Sequence, residues 1–326
     1  MRLTLAALLL AAAFASLLFG RYDASPLDAL ARLWQGLHGQ RPPLWTVIVE
    51  LRVPRVLAAM AIGAGLAASG AAYQSLFRNP LASPEVLGGL AGAAFGAALG
   101  ILLGHALWQV QLASFAFGLL AVGLTLLLAR LVGQSGIVVL LLAGLITGAF
   151  FTALLSTAKY VADPYDKLPA ITYWLMGTLS SVDAHRVWLT VPPMLASTAA
   201  LLALGHALNV LSMGDEEATS LGMPVRPLRL LVIGLATLLG TLSVVLAGMI
   251  AWVGLLIPQI ARLIWGADNR RVLPASALLG ALYVLLLDDV ARTAFPVELP
   301  LGVLTALVGL PVFALVLRRV AVGWSE

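Results

Sequence analysis

Leu208–Gly222 reads LNVLSMGDEEATSLG and lies between two apolar stretches, 187–205 and 228–248. Three consecutive acids, Asp215, Glu216 and Glu217, make this segment a poor lipid-facing element, because ionised groups are costly in hydrocarbon. It reads as an aqueous insert between two membrane spans, about 209–226, and as a handle for a soluble partner. Its pattern is that of a short stiff helix. Ser212-Met213-Gly214 precedes the start, the acids fall in the first turn where they complement the helix dipole, and Gly222 suits the stop. The plainer alternative is a solvated linker helix with no partner.

The rest of the chain fits a bilayer. Of its 326 residues 61% are hydrophobic and only 10% charged, against roughly 25% charged in soluble domains. A chain this apolar must be solvated by lipid. Apolar stretches fall near 3–20, 54–72, 86–104, 108–131, 137–158, 187–205, 228–248, 251–265, 273–290 and 300–318. Their patterning is helical or continuous, not the alternation of an outer-membrane barrel. The expected fold is therefore all-α and polytopic, with about ten transmembrane helices in a single domain over 1–326. The first run follows Arg2 and contains Ala13-Phe14-Ala15, which imitates a signal-peptide cleavage site; its continuation through Phe19 predicts a retained helix. Glycines at Gly63, Gly65 and Gly70, and at Gly88, Gly89, Gly92, Gly96 and Gly100, are spaced for close helix packing.

The connections differ in character. Arg21–Glu50 is a longer loop with Trp34 and Trp45 suited to an interface, Gln74–Glu85 is a turn with two prolines, Lys159–Arg186 is long and mixed, and Gly266–Arg271 is tight and charged. Ten spans put both termini on one side. Lys and Arg divide almost evenly between the two sides, and the chain ends and tight turns favour the cytoplasm for the termini. Ala247–Pro258, AGMIAWVGLLIP, predicts a broken helix, which is tolerated where protein or a water-filled cavity covers the backbone; this places it near a pore.

Several function classes lack their residues. The chain has no cysteine, so no disulfide, thiolate nucleophile or Cys-bound metal. No GxxxxGK[ST] occurs to cradle ATP phosphates and no HExxH occurs. His38, His105, His185 and His206 are far apart and near span ends, so no metal site and no cofactor are expected. The net charge of +4 is scattered, with no basic run for nucleic acid. An intramembrane enzyme has no catalytic constellation to build on. An ion-coupled secondary transporter would need ionisable groups within its spans; Asp288 and Asp289 are the candidates, and they lie near a boundary.

Six pieces in order resemble one known family: Leu51–Gly88 with LRVPRVLAAMAIGAGLAASGAAYQSLFRNPLASPEVLG, Leu140–Gly144, Tyr173–Ser180, Leu208–Met223, Val253–Arg292 with VGLLIPQIARLIWGADNRRVLP, and Glu298–Leu317. They resemble the permease subunit of binding-protein-dependent ABC importers for cobalamin, haem and ferric siderophores, the type II importers. The resemblance implies a ten-helix protomer in the cell inner (plasma) membrane with both termini cytoplasmic. It implies a homodimer with the pathway at its two-fold axis, two ATP-binding cassette ATPase subunits below, and a periplasmic or lipoprotein substrate-binding protein above. The cargo would be an iron chelate, haem or a cobalamin-type metal chelate; a small oxyanion such as molybdate is the alternative within the family.

Residue roles follow from the same resemblance. Gly214, Asp215, Glu216, Glu217, Ser220, Leu221 and Gly222 match the coupling helix that fits a cleft in the ATPase. Arg52, Arg55 and Arg292 match arginines that receive glutamates of the binding protein, and arginine suits bidentate carboxylate binding. Pro54 would sit in the first turn of that helix. The alternatives are interfacial snorkelling and local pairing of Arg292 with Asp288 or Asp289. Asn79 and Leu81 match an inner gate, although Asn79-Pro80 is also a plain turn signal. The second gate position is held by Ile137 and Val138, where the cobalamin relative has small hydroxyl residues; an apolar constriction can still exclude water by dewetting.

Overall fold

The computed structural model describes residues 2–18, 35, 38, 43–132 and 136–322, and among them every regular element is helical. The helices are α1 Arg2–Leu18, α2 Pro43–Leu76, α3 Gly89–Leu102, α4 Leu107–Leu131, α5 Ile137–Val161, α6 Lys167–Met176, α7 Ala184–Ala203, α8 Gly205–Leu211, α9 Asp215–Ser220, α10 Val225–Ala247, α11 Val253–Trp265, α12 Asn269–Thr293 and α13 Leu301–Val322. Helices are the expected solution, because each satisfies its own backbone where no water is present. Among the described residues, six (α2, α4, α5, α7, α10 and α12) are long and apolar enough to cross a membrane, while α1, α3, α11 and α13 are shorter apolar helices. All fall on apolar runs of the sequence, but they are not ten equal spans.

Helix α2 starts earlier than its sequence suggests. Pro54 falls in the first turn of the α-helical part Val53–Leu76, as expected, but the chain is already helical from Pro43, with a π-helical segment at Thr46–Arg52 between. Proline lacks an N–H and its ring crowds the carbonyl one turn back. Widening the preceding turn, so that the Val53 N–H donates to Ile48 O five residues back, lets the helix run on. The expected loop at Arg21–Glu50 is thus helical in its last part; Trp34 and most of that stretch lie outside the described residues. The long connection Lys159–Arg186 likewise contains a helix, α6.

Packing centres on α2, which is buried along most of its length against α7, α10, α11 and α12. Glycine makes the closest crossing possible. A Cβ on Gly63 would run into the Gly280 carbonyl of α12, and one on Gly280 into the Gly63 carbonyl, so the two backbones are in contact. Gly92 and Gly96 place α3 against the Phe117 and Ala113 carbonyls of α4 in the same way. Helices α4 and α5 form the flank and expose leucines such as Leu119, Leu120, Leu142 and Leu145, as a lipid-facing surface requires.

The break at Ala247–Pro258 is present. Helix α10 ends at Ala247, Gly248 and Trp252 adopt positive φ (73° and 71°), and α11 begins at Val253. Protein covers the interrupted backbone. Ala247 O accepts from the Thr178 N–H at 2.8 Å, and the start of α13 is tied to the same place by Leu301 N–H donating to Gly177 O at 2.8 Å. Trp252 then packs on Phe313 and Gly309 of α13.

Candidate functional site

The acidic insert forms α9, only six residues long, with Asp215, Glu216 and Glu217 in its first turn. Its C-terminus closes as the sequence predicts. Gly222 has φ 76°, its N–H donates to Thr219 O at 2.9 Å, and the Met223 N–H donates to Ala218 O at 3.0 Å, the paired bonds of a Schellman stop. Gly214 precedes the helix at φ 135°, a conformation that disfavours a side chain. Ala218 is fully buried and pins one face. The opposite face, with Glu216, Glu217 and Ser220, is exposed, as are Met213 and Leu221 at its ends. Asp215 turns inward, with both carboxylate oxygens accepting from Arg229 Nη2 at 2.6 and 2.8 Å. The helix is thus held to the start of α10 while presenting acids flanked by apolar side chains.

The base of the insert is bolted to three other helices. Asn209 in α8 donates through Nδ2 to Asp268 Oδ1 at 2.7 Å and accepts from the Asn269 N–H at 2.8 Å. Asn269 is buried, and its Oδ1 accepts from Ser75 Oγ of α2 at 2.7 Å. Arg262 of α11 completes the joint by donating to Ser75 Oγ at 2.8 Å and to Ala71 O at 3.2 Å. The Asn209 amide, with the Arg270 backbone N–H, holds the Asp268 carboxyl below the usual carboxylate range, because hydrogen bonds to a carboxylate favour its charged form.

The turn after α2 reaches the same end of the bundle. Asn79 Oδ1 accepts from the Leu81 N–H at 2.9 Å, and Asn79 O accepts from the Ala82 N–H at 3.1 Å, so Asn79 shapes the turn through its own side chain. Leu81 is 53% exposed. Ile137 and Val138 open α5, and Val138 is exposed.

Arg52, Arg55 and Arg292 gather at the opposite end of α12. Arg52 is only 6% exposed, and its Nη1 donates to Leu17 O and Leu18 O at 2.8 and 2.9 Å, closing the C-terminus of α1. Arg55 is shared between two carboxylates, Asp288 of α12 (Nε at 2.8 Å, Nη2 at 2.8 Å) and Glu298 (Nη2 at 2.6 Å). Arg292 pairs with Asp289 and with the Ser16 carbonyl. Of the two local partners expected for Arg292 it takes Asp289, at i,i+3 spacing. Among the described residues no group of three or more His, Asp or Glu side chains could hold a metal ion.

Sequence reasoning did not single out Arg229, Asn209, Asp268, Asn269 or Glu298. Their partners lie between 14 and 243 residues away, and no local spacing signals such pairs.

The chain matches the FecCD transport family over residues 8–319. It is 38% identical over 318 residues to the molybdate import system permease protein MolB of Haemophilus influenzae, covering 97% of this chain and 94% of that one. It is 38% identical over 326 residues to the vitamin B12 import system permease protein BtuC of Salmonella paratyphi A, covering 98% and 95%. Among solved structures, an ABC transporter of metal-chelate type in an inward-facing conformation superposes with a TM-score of 0.88 at 37% identity, covering 98% of each chain. PsaBC from Streptococcus pneumoniae, in complex with Fab, shares the fold at a TM-score of 0.60 and 19% identity, covering 88% and 95%.

Proposed function

The chain belongs to the FecCD transport family, and on that premise we propose that it is the membrane-spanning permease subunit of an ATP-driven, binding-protein-dependent importer of a metal chelate. The cargo is an iron chelate, haem or a cobalamin-type molecule. The chain conducts and does not catalyse; two ATP-binding cassette ATPase subunits hydrolyse ATP. The working unit is a homodimer in the inner (plasma) membrane, with all ten apolar helices crossing, the pathway between the two copies and the termini in the cytoplasm.

The observation that carries this reading is α9: three acids on a six-residue helix, flanked by exposed Met213 and Leu221 and held to α10 by Arg229. A rigid, anchored helix transmits a displacement that a free loop would absorb. The ATPase cleft receives the segment Gly214–Gly222. Asn79 and Leu81 narrow the pathway at this end.

The opposite end receives a periplasmic or lipoprotein binding protein. Arg55 and Arg292 reach its glutamates by exchanging Glu298 and Asp289 for them, and Arg52 braces α1 behind them.

Reconstitution tests the reading. In liposomes with its ATPase and binding protein, the permease imports a metal chelate only when ATP is supplied on the α9 side. Uptake that persists without the ATPase would refute it. A second reading, a small oxyanion as cargo, is favoured by the likeness to MolB. Native mass spectrometry of the binding protein separates the two: a chelate retained from the cell supports the first, bare molybdate the second.

A further inference from the structure

Among the described residues three helices end with the same pair of hydrogen bonds, and one of them breaks the rule for the residue that closes it. After α3, Gly104 (φ 73°) donates to Ile101 O and His105 to Gly100 O; after α9, Gly222 and Met223 do the same to Thr219 and Ala218. After α2, the equivalent donors are Arg78 to Ser75 O at 3.3 Å and Asn79 to Gln74 O at 3.1 Å, and Arg78 has φ 49°. That left-handed position strongly favours glycine because a Cβ is crowded there. An arginine in this place is strained, and strain held against an easy remedy points to a use for the side chain.

The side chain leads to α9. Arg78 Nη1 lies 3.4 Å from the point where a Cβ on Gly214 would begin, and the Glu217 carboxylate crowds that same point. The guanidinium from the end of α2 therefore packs beside the bare backbone of Gly214, next to the Glu217 carboxylate but without an ion pair to it. The joint of Asn209, Asn269, Ser75 and Arg262, with Asn269 and Ser75 buried, fastens the root of the insert to the last turn of α2. A displacement of α9 has two routes into that turn, one through this joint and one through Arg78. The second ends one residue before Asn79.

We infer that Arg78 is a positioning residue that carries the displacement of α9 into the turn holding Asn79 and Leu81. This rests on the reading of α9 as the site of ATPase attachment. Arg78 touches no cargo; its packing against Gly214 places the start of the moving helix against the turn that narrows the pathway. Coupling of this kind travels through packed side chains and rigid elements with two arrangements.

The experiment compares wild type, Arg78→Gly and Arg78→Lys in the intact complex with ATPase and binding protein in liposomes, reading ATP hydrolysis and cargo uptake together. Glycine relaxes the backbone at φ 49° while removing the guanidinium, so Arg78→Gly is expected to keep its thermal midpoint and its ATPase. Cargo moved per ATP is expected to fall about three- to thirtyfold, and Arg78→Lys to restore much of it. Undiminished cargo per ATP in Arg78→Gly would overturn the inference. A lowered thermal midpoint would make Arg78 a structural residue, and loss of ATPase co-purification would make it an attachment residue; either also overturns it. Failure of the underlying reading shows elsewhere, as uptake by the wild type without ATPase.

Discussion

Arg55 holds Asp288 through two nitrogens at 2.8 Å each, although 233 residues separate them in the chain. Asp288 is 1% exposed, so its charge depends on this partner. Removing one member of a buried pair leaves the other uncompensated, which costs roughly 3–5 kcal/mol, whereas replacing both by apolar residues is often nearly neutral. Arg55→Ala should therefore lower the unfolding midpoint sharply in detergent, and the double variant Arg55→Met, Asp288→Leu should recover most of the loss. A double variant no better than the single one would show that the pair has no such reciprocal dependence.

Charge reversal on the exposed face of α9 should act on assembly and not on folding. Glu216 and Glu217 are exposed, where like charges cost little, although the Glu217 carboxylate folds back beside Gly214. Glu216→Lys with Glu217→Lys should insert into the membrane at wild-type levels yet recover little ATPase in co-purification. Unchanged recovery would argue against attachment through this face.

The two glycines of the insert should respond unequally to alanine. At Gly222 no atom lies within 4 Å of a new Cβ, so the cost is the left-handed backbone alone, about 1–2 kcal/mol. At Gly214 a Cβ would collide with the Glu217 carboxylate and approach Arg78 as well as meeting an unfavourable φ. Hydrogen exchange over residues 215–222 should rise for both variants and more for Gly214→Ala; equal rates would contradict the crowding.

Acid should loosen the joint at Asp268. Its carboxyl is held below the unfolded value of about 3.9, first by the Asn209 amide. A depressed folded pKa gives stability that is fully present above the unfolded value and is lost as pH falls through the folded one. Thermal midpoints of the wild type should decline below about pH 4 more steeply than those of Asp268→Asn, which has no such proton to take up. Parallel declines would remove Asp268 from the pH response.

What was legible in the sequence was whatever repeats or closes within a few residues. Gly222 announced a helix stop, the helical spacing of Arg292 to Asp288 or Asp289 announced a pair, and Ala247–Pro258 announced a break, each through local backbone or side-chain geometry. Pro54 sits in the first α-helical turn as expected, but the π-helical turn that carries α2 back to Pro43 has no sequence signal of its own. Arg78 was invisible because the residue expected at a left-handed helix stop is glycine.

By itself, the order of residues determined that this chain lives in lipid as a set of apolar helices with one short acidic helix among them, because hydrophobicity and helix stops act over one or two turns. Only the folded molecule decided that Arg55 belongs to Asp288, that Asn209 is fastened to Asn269 and through it to Ser75, and that Arg78 reaches Gly214. Those pairings depend on how α2, α8, α9 and α12 cross, and the crossings are set by where backbones can touch, as at Gly63 and Gly280. No spacing along the chain encodes that contact, since its two halves lie more than two hundred residues apart.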